Sequence, residues 1–179
     1  LSTKLSELLQ ETIPGDKHDV TIFDLLTHQS GFPATETGWP HSDWSTTIET
    51  ILSTARQLPI GTAAYHPQSS WFLLGEILRR TTTATSLTAF DDILTHELLG
   101  PLGLNSTSCG IKTDTAAQNA RLIPTLYERD KGQLAVSNYG TSPWLTQPSP
   151  GGNLRGPIRE LGVFLELLMR NGRLPDGTP

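Results

Sequence analysis

The stretch Gly61-Thr-Ala-Ala-Tyr-His-Pro-Gln-Ser-Ser-Trp-Phe-Leu-Leu-Gly75 constrains this chain more than any other. It begins as a loop. Pro59 and Gly61 punctuate it, and the ring of Pro67 keeps His66 out of the helical region. It continues as a helix. Ser69 and Ser70 stand where an N-cap is expected, and Trp71, Phe72, Leu73, Leu74, Ile77 and Leu78 place apolar side chains on nearly every side. A helix of that kind is buried, so this one is predicted to be central to its lobe. Gly75 inside it costs about 1 kcal/mol of helix propensity and predicts the close approach of another backbone. A tyrosine, a histidine and two serines are thus held at the mouth of a rigid element, where side chains can be positioned for chemistry.

With 179 residues the chain is long enough for a single domain with a real core. Its 36% apolar and 17% charged residues place it among globular proteins, and a net charge of −5 argues against a nucleic-acid footprint. The single cysteine, Cys109, rules out an intrachain disulfide and reads as a buried or half-buried thiol. No apolar run reaches the ~18–20 residues of a membrane-spanning helix. The opening Leu-Ser-Thr-Lys has no signal-peptide pattern, and both ends read as cut within a larger domain.

The remaining elements follow from pattern. Residues 3–10 read as a short helix with Leu5, Leu8 and Leu9 inward. Thr21 and Asp24 form a capping box ahead of Leu25 and Leu26, with Gly31 as the stop. A helix is predicted over residues 45–57, with Ile48, Ile51, Leu52 and Ala55 on one face. Ser86 caps the next, carrying Phe90, Ile93, Leu94, Leu98 and Leu99, and Gly100-Pro101 ends it. Residues 120–136 change period and predict a hairpin around Asp130-Lys-Gly132, with Pro124 pushing its strand to an edge. Pro157 opens a last helix whose buried stripe is predicted to be Leu161, Phe164, Leu165, Leu167 and Leu168, closed by Gly172.

Four blocks carry a family resemblance. Pro59-x-Gly-Thr-x-x-Tyr65, followed by the Phe72-Leu-Leu-Gly75 helix, resembles the serine β-lactamase, DD-peptidase and family VIII esterase superfamily, in particular its class C-like members. Val20-Thr-Ile-Phe-Asp-Leu-Leu-Thr-His-Gln-Ser-Gly-Phe-Pro33 is similar to their Leu-Leu-Thr-His-x-Ser-Gly segment. Gly100-Pro-Leu-Gly-Leu104 with Ser106-Thr107 resembles their Pro-Leu-Gly-Met segment, and Pro150-Gly-Gly-Asn-Leu-Arg-Gly156 their late Gly-Gly turn. Together the blocks cover most of the chain. The resemblance implies an α+β fold: the mostly helical lobe of the transpeptidase-like fold with a small antiparallel hairpin, residues 1–179 forming one partial domain. It implies hydrolysis of a small-molecule ester, amide or β-lactam through an acyl-serine intermediate, with no cofactor and no metal.

That chemistry needs three elements: a Ser-x-x-Lys nucleophile pair, a second element that relays the proton, and a Lys-Thr-Gly-type strand near the oxyanion hole. No serine here is followed three residues on by lysine, and Lys112-Thr113-Asp114 has the wrong third residue. Ser42-Asp43-Trp44 reads as a turn. The second element is present. In class C-like relatives it is Tyr-x-Asn, and the resemblance assigns Tyr65 to the relay; the alternative is a core tyrosine with a satisfied hydroxyl. Pro67 stands in the Asn place and has no side-chain amide, so His66, Ser69 or Ser70 are the candidates to replace that substrate contact. Gly151 and Gly152 are candidates to cradle the substrate, or form only a tight turn. His28 reads as a structural hydrogen-bonder rather than a base. His18, His41 and His96 show no metal-ligand spacing, and no Gly-x-Ser-x-Gly elbow is present. Asn105-Ser-Thr107 is a glycosylation sequon. The Ser-x-x-Lys region is expected upstream of residue 1 and the third element downstream of residue 179. The second reading, from a different class, is a non-catalytic or truncated homologue that binds a ligand or partner.

Overall fold

The computed structural model describes residues 1–9, 13–32, 35–83, 89–112 and 123–173. Helices come first: α1 (Leu5–Leu9), α2 (Ile22–Leu26), α3 (Trp44–Ser53), α4 (Ser69–Thr81) and α5 (Phe90–Leu94), which runs on into a π-helical turn over Thr95–Leu99. Two small antiparallel sheets follow. β1 (Ser108–Cys109) pairs with β4 (Leu154–Arg155), and β2 (Tyr127–Asp130) pairs with β3 (Gln133–Val136). The last helix is α6 (Ile158–Met169). No helix among the described residues is long and apolar enough to cross a membrane.

α4 is the hub. It packs against α1, α2, α3 and α5. Phe72, Leu73 and Ile77 on it meet Leu5 and Leu9 of α1, Leu25 of α2, Ile48 and Ile51 of α3, and the loop residues Ile13, Val20 and Phe32 in one buried cluster. Each such side chain contributes about 1.5–3 kcal/mol when fully buried. Gly75 makes the packing possible, but by admitting side chains rather than a backbone. A Cβ there would lie 2.8 Å from Pro150 Cγ, 2.9 Å from the Trp44 ring and 3.3 Å from the Phe90 ring. The helix begins at Ser69 with Gln68 as its uncapped N-cap, so Ser69 and Ser70 are first-turn residues and not caps. One face is open, since Leu78 is exposed.

A buried carboxylate breaks the apolar reading of α4. Glu76 accepts the indole N–H of Trp44 at 2.7 Å, and both Arg79 and Arg80 reach it at 2.8 Å. The arginines three and four residues on are its helical neighbours, and Trp44 carries the network across to α3.

Other expectations divide clearly. The Thr21–Asp24 capping box is formed in both directions. The hairpin turns through Lys131 and Gly132, both at positive φ, and begins after Pro124. Leu122 and the Ser86 cap lie outside the described residues. α3 starts at Trp44, capped by the Asp43 side chain, and ends at Ser53, four residues before the predicted end. Leu26 is exposed, and α2 ends there rather than near Gly31. The largest departure is α6. Its apolar stripe is open: Ile158 is 81% exposed and Leu168 57%, with Leu161 and Leu165 also exposed, while its buried residue is Glu160. The Glu160 carboxylate accepts the Thr107 hydroxyl at 2.6 Å and the Ser106 amide N–H at 3.2 Å, which ties α6 to the loop before β1.

Candidate active site

The loop that carries Tyr65 is built on residues 28–31. Gln57 N–H donates to the Gly31 carbonyl at 3.0 Å, Gly61 N–H to the Gln29 carbonyl at 2.9 Å and Ala64 N–H to the His28 carbonyl at 2.9 Å. Gly31 is required for this contact. Its φ is +71°, and a Cβ would fall 2.1 Å from the Leu58 carbonyl oxygen. The glycine of the Leu-Leu-Thr-His-Gln-Ser-Gly segment therefore marks where two backbones meet, and not where a helix stops.

Tyr65 projects from this loop with 71% of its surface exposed. Among the described residues its hydroxyl has no hydrogen-bond partner. Its ring meets the edge of His28, with centroids 5.0 Å apart, and the other neighbours of His28 are Trp71 at 5.8 Å and His66 at 6.4 Å. His66, the next residue, is buried instead. It is 2% exposed, and among the described residues neither ring nitrogen has a hydrogen-bond partner. Burial lowers its pKa below the ordinary histidine value, and repulsion from His28 adds to the effect. Its backbone N–H donates to His28 Nδ1 at 3.4 Å.

The first turn of α4 lies behind this loop. Ser69 and Ser70 are both buried, with Ser70 Oγ 3.5 Å from Ser30 Oγ. The Gly-Gly turn is brought to the same place from the far end of the chain. A Cβ on Gly151 would lie 2.6 Å from the Pro67 carbonyl oxygen and 3.0 Å from the Trp71 ring, whereas one on Gly152 would meet nothing within 4 Å. The structure thus gathers Tyr65, His66, Ser69 and Gly151 around Pro67 and Trp71. Tyr65, Gly151 and Gly152 are on the surface, and His66 and Ser69 are beneath it.

Two organising residues carried little sequence signal. Asn153 is buried; its amide donates to the Trp144 and Gln147 carbonyls at 3.1 and 2.6 Å, and its oxygen accepts Arg155 Nε at 2.7 Å. It holds the loop that ends in Gly151-Gly152, and only its place after that pair hinted at it. His28 adopts φ +57°, a conformation no hydrophobic pattern reports. Cys109 is buried as expected, and desolvation pushes its thiol up to about 11.

A cavity of about 260 Å³ lies elsewhere, lined by Trp39, Trp44, Phe72, Phe90 and Arg79 among others. It includes none of the residues gathered around Pro67. Among the described residues no group of three His, Cys, Asp or Glu side chains is placed to hold a metal ion.

The family model described as Beta-lactamase matches residues 1–178. A hydrolase of unguisins from Aspergillus violaceofuscus is 24% identical over 94% of this chain, which spans 31% of that protein. Among solved structures, the octameric penicillin-binding protein homologue from Pyrococcus abyssi superposes with a TM-score of 0.71 at 20% identity, over 96% of this chain and 39% of its own. A class C β-lactamase from Rhodobacter sphaeroides gives 0.67 at 20% identity, over 98% of this chain and 46% of its own. The chain therefore spans less than half the length of these relatives. The helical lobe with its small antiparallel sheets is the corresponding part of their fold, and the chain belongs to the β-lactamase family.

Proposed function

We propose that this chain supplies the helical lobe and the tyrosine element of a serine hydrolase that opens an ester, amide or β-lactam bond through an acyl-serine intermediate. The observation that carries the reading is the Tyr65 phenol, exposed on a loop fixed by backbone hydrogen bonds to residues 28–31. A Ser-x-x-Lys pair upstream of residue 1 would supply the nucleophile, and a strand downstream of residue 179 the third element. The open apolar stripe of α6 supports this division, because a face of that kind is covered in a complete domain.

In the proposed reaction the serine Oγ bonds to the substrate carbonyl carbon and gives up its proton. The neighbouring lysine holds positive charge beside Tyr65, and the phenolic oxygen passes the proton to the departing oxygen or nitrogen as the acyl bond breaks. An unperturbed phenol titrates near ~10, so the relay depends on that charge. His66 and Ser69 support the wall behind Tyr65. Gly151 and Gly152 let the substrate approach the turn without a side chain between.

The reading is tested by treating the full-length protein with an activated phosphonate and mapping the adduct by mass spectrometry. The expected label is on a serine of a Ser-x-x-Lys sequence outside residues 1–179. Stoichiometric labelling of a serine within residues 1–179 would contradict it.

A further inference from the structure

We infer that His28 is the positioning residue for Tyr65, an inference that rests on the proposed relay role of that tyrosine. Three contacts converge on the one histidine. Its carbonyl accepts the Ala64 N–H at 2.9 Å, its Nδ1 accepts the His66 N–H at 3.4 Å, and its ring makes an edge contact with the Tyr65 ring, with centroids 5.0 Å apart. Ala64 and His66 flank Tyr65, so His28 holds the backbone on both sides of the phenol as well as the phenol ring itself.

The backbone of His28 points to the same role. At φ +57° it occupies the left-handed region, which strains any residue with a Cβ and costs a glycine almost nothing. A turn alone would be better served by glycine. The imidazole held there against that cost is the group that meets Tyr65, His66 and Trp71. Its chemistry is specific as well. Its Nδ1 accepts a hydrogen bond, which a hydrocarbon side chain of similar bulk cannot do.

Asparagine tolerates positive φ and its Oδ1 can replace the Nδ1 acceptor. Leucine keeps bulk without an acceptor, and glycine removes the side chain while relieving the strain. His28→Asn, His28→Leu and His28→Gly in the full-length protein therefore separate positioning from folding. The primary readout needs no activity. With tyrosine rings isotopically labelled, we expect His28→Leu and His28→Gly to move the Tyr65 ring signals toward unstructured values and to speed exchange of the His66 amide by about tenfold or more, while His28→Asn keeps the amide protected. Urea midpoints control for folding, and His28→Gly should hold its midpoint while losing Tyr65 order.

The second readout is single-turnover acylation. His28→Leu is expected to lower the rate by about 10–100-fold, the scale of a misplaced catalytic group, and to change it less than about threefold when Tyr65 is already phenylalanine. Unchanged Tyr65 signals and His66 exchange in His28→Leu would overturn the inference, as would rate losses for His28→Leu and Tyr65→Phe that simply multiply. Normal acylation by Tyr65→Phe would instead sink the relay reading, and the ring signals and amide exchange would still decide whether His28 sets the position of Tyr65.

Discussion

Gly151 lies against Pro67 so closely that a Cβ on it would fall 2.6 Å from the Pro67 carbonyl oxygen. This contact joins the Gly-Gly turn to the tyrosine loop across nearly half of the chain, and the neighbouring glycine has no such constraint. Gly151→Ala should therefore destabilise the protein by about 1–3 kcal/mol, the range for forcing extra volume into a packed contact. Gly152→Ala, with nothing within 4 Å of the new carbon, should stay within about 0.5 kcal/mol of the parent. Urea midpoints of the two variants provide the comparison; equal midpoints would show that the turn does not press on the loop.

Glu76 gives a prediction with a pH sign. Burial alone would raise its carboxyl pKa, but the hydrogen bonds from Arg80 and Trp44 and the charges of Arg79 and Arg80 outweigh that, and the net shift is downward from 4.5. A carboxylate whose folded pKa is depressed contributes stability that is fully present above its unfolded pKa and lost as pH falls through the folded one. Stability should therefore fall below about pH 4.5, and Glu76→Gln should remove that part of the slope. At neutral pH the substitution should cost about 1–3 kcal/mol, the scale for hydrogen bonds to a charged group. Denaturant midpoints from pH 3 to pH 7 for both proteins check the two statements together.

Cys109 should be inert in the folded protein. Its thiol is buried, donates to the Ser149 carbonyl at 3.5 Å and is pushed up to about 11, so thiolate is scarce at pH 8. Iodoacetamide at pH 8 should leave it unmodified until urea unfolds the chain, and then modify it at the rate of a free cysteine. Rapid alkylation without denaturant would show that the β1–β4 region opens readily.

Much of this architecture is legible in the residues, for local reasons. Thr21 and Asp24 satisfy each other's backbone within four residues, and Asp130-Lys-Gly132 supplies the positive φ that a tight hairpin needs. Gly75 announces a close approach, but a glycine does not say what approaches, and the occupants are Pro150, Trp44 and Phe90. In α6 the periodicity of Leu161, Leu165 and Leu168 identifies an apolar face, yet periodicity reports which side is apolar and not whether a partner covers it. The site shows the same limit. Tyr65 stands out through its motif, whereas the Trp44 contact of Glu76 and the Ala64 and His66 contacts of the left-handed His28 are made by residues distant in sequence.

The central claim is that Tyr65 relays the proton in acyl transfer, and single-turnover acylation of Tyr65→Phe in the full-length protein tests it most directly. The phenol is exposed and its hydroxyl holds no hydrogen bond among the described residues, so losing that hydroxyl should leave the urea midpoint within about 0.5 kcal/mol of the parent. The acylation rate should fall by about 10²–10⁴-fold, the usual contribution of a general acid–base group. A near-parental acylation rate with an unchanged midpoint would contradict the account.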